Sequence, residues 1–391
     1  MTEEIVKTAL AKVMYPGFTK DIVTFGFVKD INIDGTTVNF TVDITSNAPE
    51  VAQEIKDKSV EVLKVAGATT VNCNIQAPVI PKESSSQGKN IAPQVKNFLM
   101  VSSGKGGVGK STSSVNIAIA LAAQGLKVGL LDADIYGPNI PRMVGLNNVK
   151  PEVTGNKVLP LKAYGIEIMS MGSLMDEGQA LIWRGSMIMK AIEQFLRDIL
   201  WSELDVLVID MPPGTGDAQL TLAQSVPVTA GLTVTTPQSV SLDDSRRSLN
   251  MFKKLDIPIA GIIENMSGFI APDTGVEYDI FGKGTSQPMA DEFDTKIIAE
   301  IPIEPGIRTG GDEGKPIVFA DPTSESAKRF IAAAASVWAT IEEINANGGV
   351  DNKGVQPTTP PGVSACSTPA PAKEAPAASN DESCGTGCGC H

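Results

Sequence analysis

An α/β architecture, with a mostly parallel sheet covered by helices on both faces, is predicted for the central part of this chain by three observations. Between about Lys96 and Asn347, short apolar runs alternate with helix-forming stretches, the pattern of successive strand–helix–strand units. Two of the apolar runs, Lys127–Leu131 (KVGLL) and Asp205–Pro213 (DVLVIDMPP), meet aspartates where they end, and open α/β sheets bind ligands at the C-terminal ends of strands. A third run, Phe98–Val101, breaks into a glycine-rich loop ending in Lys-Ser-Thr, followed by the helix-forming stretch Ser113–Ala123.

That third run is the most informative. NFLMVSSGKGGVGKST, Asn97–Thr112, carries G-x-x-x-x-G-K-[ST] in a strand–loop–helix setting, which makes it a phosphate loop and the domain a P-loop NTPase. Gly104, Gly106, Gly107 and Gly109, with Val108 between them, let successive N–H groups and the helix N-terminus point at phosphate oxygens. Lys110 is placed to reach the β- and γ-phosphates, and Ser111, beside Thr112, to ligate Mg²⁺. Lys105 has no role that phosphate-loop chemistry requires. Past KVGLL come Asp132 and Asp134, two apart; one can orient the attacking water and the other can hold a water on Mg²⁺. Asp210 ends a buried strand as a Walker B aspartate, which holds Mg²⁺ through water. Gly214-Thr215-Gly216-Asp217 follows it with the freedom of a switch segment.

GKGGVGKST resembles the deviant Walker A loop of the ATPase class that includes MinD, ParA and the nitrogenase iron protein. The resemblance implies that Lys105 reaches across a homodimer interface to the partner's phosphates, with two ATP sites facing one another. It also implies Asp134 for water positioning and Asp132 for the metal side. DADIYGPNIPRM, WRGSM (Trp183–Met187), DMPPGTGDAQLTLAQ, TTPQSVSLDDSRRSLNMF and ENMSGF together resemble the Mrp family of iron–sulfur cluster carrier ATPases, over nearly all of residues 96–345. By that resemblance Asn265, between Glu264 and Met266, contacts adenine, and Ile301–Arg308 (IPIEPGIR) forms the other wall of the base pocket. The family usually continues N-M-S-x-F-x-C-x-x-C-G, its two cysteines bridging a cluster between subunits. This chain has Ala271 and Thr274 at those positions. Neither offers the thiolate that iron takes in such clusters, so no cluster is expected there.

Composition narrows the classes further. At 391 residues the chain is long enough for two or three domains, and its 32 basic and 45 acidic residues give a net charge of −13 with no long basic run. That argues against nucleic acid as a partner. No stretch resembles a signal peptide or a membrane-spanning run, so a cytoplasmic protein without membrane partners is expected. The single histidine, His391, is the last residue, which excludes a histidine base or ligand in the folded body.

Residues 1–78 are expected to form a small α+β module: a helix over Glu3–Met14, strands over Asp21–Asp30 and Thr36–Ile44 joined across Asp34-Gly35, a helix from Pro49 to Val65, and a strand over Ala68–Ile75. In this stretch YPGFTKDIVTFGFVKDINIDGTTVNFTVDI resembles the iron–sulfur assembly family first catalogued as domain of unknown function 59. That family usually carries a cysteine shortly after the second strand. Ala48 stands there in TSNAPEV, so direct ligation is not expected, and a plain interaction domain is the other reading. Residues 79–95 are expected as a linker and 96–347 as the ATPase domain.

From 348 to 391 the chain turns rich in Pro, Ala, Ser and Thr, a composition that predicts a disordered tether. It ends in ESCGTGCGCH, where Cys384, Cys388 and Cys390 have C-x₃-C-x-C spacing. Three thiolates, with His391 or Cys366, can ligate iron or zinc. Two tails of a dimer could share one cluster, with [4Fe–4S] the expected type. On this reading the ligands missing from the body have moved to the tail; loose redox thiols are the alternative.

Two functions follow. One is a slow, switch-type ATPase that receives iron–sulfur clusters from scaffold proteins and delivers them to apoproteins. The other is a MinD/ParA-like regulatory or scaffold ATPase without cluster chemistry; a zinc- or nickel-trafficking protein is a weaker third. The residues after Asn345 suit neither DNA binding nor a membrane-attaching amphipathic helix, which favours the carrier.

Overall fold

The computed structural model describes residues 1–18, 20–46, 48–77, 90–134, 137–147, 149–155, 157–174, 193–271 and 273–350. Most of the expected linker, the Trp183–Met187 motif and the tail with Cys366, Cys384, Cys388, Cys390 and His391 lie outside the described residues. No helix among the described residues is long and apolar enough to cross a membrane.

The N-terminal part contains α1 (Glu3–Leu10), β1 (Val28–Asp34), β2 (Thr37–Asp43), α2 (Pro49–Val65) and β3 (Thr70–Gln76). Thr2 Oγ1 accepts the Ile5 N–H at 3.4 Å, and Glu3 and Glu4 occupy the first turn of α1. Both features favour a helix start. The sheet order is β1-β2-β3, with β1/β2 antiparallel and β2/β3 parallel. Asp34 faces Thr37 across the hairpin, and Gly35 takes φ 59°, a positive φ that tight hairpin turns require.

Two expectations are corrected here. The first helix stops at Leu10, short of Met14, and the segment from Asp21 to Phe27 is a chain of turns. Asp21 is the reason for the turns. Its Oδ1 accepts the N–H groups of Val23 and Thr24 at 3.0 and 2.8 Å, and its Oδ2 accepts the Thr24 hydroxyl at 2.6 Å. Such side-chain capping gives the backbone an alternative to a ladder.

The central part contains β4 (Phe98–Ser102), α3 (Lys110–Ala123), β5 (Val128–Asp132), α4 (Ile140–Met143), β6 (Val153–Thr154), β7 (Lys157–Val158), β8 (Leu161–Ala163) and β9 (Ile166–Ser170). After these come β10 (Val206–Asp210), α5 (Asp217–Ser225), β11 (Ala230–Thr235), α6 (Ser239–Lys254), β12 (Ile259–Ile270) and β13 (Glu277–Tyr278). The series closes with α7 (Gln287–Glu292), β14 (Ile297–Ile303), α8 (Pro305–Glu313), α9 (Ile317–Ala320) and α10 (Glu325–Ala346). Nine described strands form one sheet in the order β13-β12-β11-β4-β10-β5-β9-β8, with β14 also on β12. Only the β12/β13 and β8/β9 pairings are antiparallel; the rest of this sheet is parallel.

The strands near the middle are buried throughout and mostly apolar, because both faces are covered. In β4, Leu99 and Val101 enter one core with residues of α3 and α10, whereas Phe98 and Met100 enter the other with Trp201 and Leu222. The end of the expected linker belongs to this second core: Ala92 and Val95 are buried, and Val95 bridges to Leu204.

The N-terminal part joins the same compact unit, Met1–Val355. Tyr15, Phe18, Phe25 and Phe27 form an aromatic group, and Phe25 meets Tyr164 at 6.1 Å between ring centroids. Lys20 Nζ donates to Tyr164 Oη at 3.3 Å and, with the Tyr164 hydroxyl, to the carbonyl of Gly314, the C-cap of α8. An aromatic pair is worth about 0.5–1.5 kcal/mol, comparable with about 0.5–3 kcal/mol for a hydrogen bond, so the Phe25–Tyr164 contact and the Lys20 hydrogen bonds both contribute to the docking.

Burial, and then the nearby Lys315, lowers the Lys20 ammonium to about 8. Free lysine titrates near about 10.4, so between those values the unfolded chain binds the extra proton and stability rises with pH. The gap in urea-unfolding free energy between the natural chain and Lys20→Met should therefore shift in favour of the natural chain from about pH 7.5 to about pH 10. A gap that stays flat over that range would contradict this placement of Lys20.

Candidate functional site

The phosphate-loop sequence becomes a loop between β4 and α3. Gly107 and Gly109 take φ 82° and 86°, a region open to glycine at little cost. Gly109 is the N-cap of α3 and offers no side chain, so the first-turn N–H groups of α3 remain available to an anion. Gly104 is needed for another reason. A Cβ there would lie 2.1 Å from the backbone carbonyl carbon of Asp244 in α6, whereas at Gly106 it would meet nothing within 4 Å.

Strand register brings the acidic residues together. Asp210 of β10 is paired with Asp132 of β5, and Asp132 with Ser170 of β9, in one row at the C-terminal edge of the sheet. Both aspartates are fully buried. Lys110 Nζ is 2.8 Å from Asp210 Oδ2, and the Ser111 hydroxyl donates to the same oxygen at 2.6 Å. Ser114, one turn further along α3, donates to Asp210 Oδ1 at 2.7 Å. Asp132 Oδ2 accepts from Ser170 Oγ at 3.0 Å and from the Ile140 N–H at 3.3 Å, and Oδ1 from the Asp134 N–H at 3.2 Å. Burial first, and then the Asp210 carboxylate, push Asp132 up to about 7 against these hydrogen bonds. The pair is short of positive charge, and its donors are all hard oxygens, the set that Mg²⁺ prefers.

Ser114 and Ser170 were not anticipated. The three-residue spacing from Ser111 places Ser114 on the same helix face, a signal available in the sequence. Ser170 depends on β9 pairing with β5, which no local pattern announces.

The other expected residues fall around this centre. Asp134 lies just past β5, half-buried, with its Oδ1 accepting the Gly137 N–H at 3.2 Å. Lys105 is half-buried on the loop, and its ammonium makes no ion pair among the described residues. The Gly214 N–H is bonded to the Ser103 carbonyl at 3.0 Å, so the segment after Asp210 is tied to the start of the loop. Asn265 Nδ2 donates to the Val108 carbonyl at 2.8 Å. Asn265 and Met266, with Gly109, Thr112, Ile303 and Arg308, line a cavity of about 500 Å³, a size usual for small-molecule sites. The expected wall Ile301–Arg308 thus flanks the phosphate loop.

Neighbouring Glu264 is fully buried. Burial by itself raises its carboxyl, but hydrogen bonds from Ser267, Ser286 and the Gly284 N–H bring it below the usual glutamate value. Ala271 and Thr274 lie in the β12–β13 connection, and no group of three or more His, Cys, Asp or Glu among the described residues could hold a metal ion. Cys73 is half-buried, and burial pushes its thiol up to about 11, which works against a thiolate.

Residues 94–338 match the model of a family described as NUBPL iron-transfer P-loop NTPase. The chain belongs to this family. Residues 3–75 match a second model, iron–sulfur cluster assembly protein. The chain is 51% identical over 360 residues to a Helicobacter pylori protein named iron–sulfur cluster carrier protein, covering 92% of this chain and 98% of that one. A Synechocystis protein of the same name is 44% identical over 86% of this chain and 97% of its own. Among solved structures, a nucleotide-binding protein from Archaeoglobus fulgidus in complex with ADP superposes with a TM-score of 0.52 at 36% identity, covering 57% of this chain and 88% of that one.

The loop geometry separates two kinds of glycine. Gly104→Ala should destabilise the protein by about 2–3 kcal/mol, because backbone cannot yield as a side-chain tip can. Gly106→Ala should stay within about 0.5 kcal/mol. Urea unfolding of both variants checks this, and equal losses would contradict the close approach to α6.

Proposed function

We propose that this P-loop NTPase is an ATP-dependent iron–sulfur cluster carrier that receives clusters from scaffold proteins and delivers them to apoproteins in the cytoplasm. The observation that carries the reading is near full-length identity of 51% to a protein named as a cluster carrier. In this reading Lys110 and the loop Gly104–Thr112 bind the triphosphate, and Asn265 recognises adenine across the cavity. Ser111, Asp210 and Asp132 would hold Mg²⁺, which supplies charge neutralisation at the phosphates. Asp134 orients the attacking water, and Lys105 reaches the phosphates of a partner in a homodimer. Turnover is slow, as suits a switch that must reside in each state.

The cluster, as cargo, is assigned to Cys384, Cys388 and Cys390 of two tails, as [4Fe–4S]. Support comes from the body, where Ala271 and Thr274 have no thiolate and Cys73 is held protonated by burial. The same alanine and threonine favour a second reading, a scaffold ATPase of this fold without cluster chemistry.

Anaerobic reconstitution with iron and sulfide separates the two. The full chain should bind iron and sulfide and show a visible charge-transfer band, and a Cys384→Ala/Cys388→Ala/Cys390→Ala variant should lose both while still hydrolysing ATP. If neither protein holds a cluster and both hydrolyse ATP, the scaffold reading takes its place.

A further inference from the structure

Phe281 lines the cavity that contains Asn265, together with Ile303, Ile307 and Met143. It is 45% exposed, and among the described residues it is the sole aromatic one lining the cavity. A large apolar ring left half in water beside Asn265, in a wall that also carries aliphatic side chains and the charged Arg142, Glu304, Arg308 and Asp312, is an unspent contact surface.

The backbone around it is held on both sides. Before it, Tyr278 and Glu277 pair with Phe269 and Ile270 of β12. After it, Lys283 Nζ bonds Glu277 at 2.6 Å, and the N–H groups of Gly284 and Ser286 bond the buried Glu264 carboxylate at 2.7 and 2.9 Å. Thr285 Oγ1 donates to the Pro237 carbonyl at 2.7 Å. Glu264 is the residue next to Asn265, so one anchor sets both the amide and the ring. Their shared position suits a flat heteroaromatic group that offers a polar edge to Asn265 and a π-face to Phe281.

We propose that Phe281 is a base-recognition residue, on which the purine of the bound nucleotide stacks while Asn265 meets its edge. The proposal rests on the nucleotide-binding reading of the phosphate loop. Stacking on an aromatic side chain gains affinity for any ligand with a π-face and none for the phosphates alone. Phe281 therefore contributes to the affinity for ATP and leaves that for inorganic tripolyphosphate unchanged.

The test is calorimetric titration of the full chain and of Phe281→Ala and Phe281→Tyr with ATP and, separately, with tripolyphosphate, both with Mg²⁺. The expected result is that Phe281→Ala binds ATP about tenfold or more weakly, binds tripolyphosphate as the natural chain does, and that Phe281→Tyr restores ATP affinity. An unchanged ATP affinity in Phe281→Ala overturns the proposal, as does a parallel loss for both ligands. If the natural chain binds tripolyphosphate and ATP equally, the base contact fails while the phosphate loop stands. If it binds neither, the nucleotide reading itself falls.

Discussion

Asp132 and Asp210 sit side by side on adjacent parallel strands, both buried, at the edge of the sheet where α3 begins. Placing two carboxylates so close in a dry site is costly unless charge and hydrogen bonds compensate. Lys110, Ser111 and Ser114 from α3 answer Asp210, and Ser170 with two backbone N–H groups answers Asp132. Much of the local architecture serves this balance. Four parallel strands arrive in register, α3 starts at the lysine, and the loop before α3 is compact enough for α6 to press on Gly104.

From that centre the contacts run outward in two directions. Through Val108 the loop is tied to Asn265, and through Glu264 to the connection that carries Phe281. On the other side, α8 lines the cavity with Ile307 and Arg308 and ends at Gly314, whose carbonyl receives Lys20 and Tyr164. The N-terminal part thus touches the end of the helix that walls the cavity. Lys20 makes that contact, and Phe25 packs against Tyr164 beside it.

The phosphate loop, the two strand-end aspartates and the α-β-β-α-β order of the first module were all legible in the sequence, because each is written in local pattern: glycine spacing, an apolar run and its terminal acid, a hairpin signal. The misread stretch, Asp21–Phe27, is apolar enough to read as a strand, and one aspartate folding back on its own backbone overrides that pattern. Ser170 was hidden because its role is set by a neighbour 38 residues away in the chain. Tyr164 and Gly314 were hidden for the same reason; their meeting with Lys20 spans 144 and 294 residues. The proposed base wall at Ile301–Arg308 was placed by family resemblance, and periodicity alone would have left it a connecting loop.

The measurement that tests the central claim most directly is thermal unfolding of the full chain and of Asp210→Asn with ATP, in the presence of Mg²⁺ and of EDTA. A ligand that binds only the folded state stabilises it by RT ln(1 + L/Kd), where L is the free ligand concentration, and so raises its melting temperature. The account predicts a clear rise for the natural chain with ATP and Mg²⁺, a much smaller one in EDTA, and little dependence on Mg²⁺ in Asp210→Asn. Equal stabilisation by ATP in all four conditions would contradict a carboxylate-assisted metal–triphosphate site at Asp210.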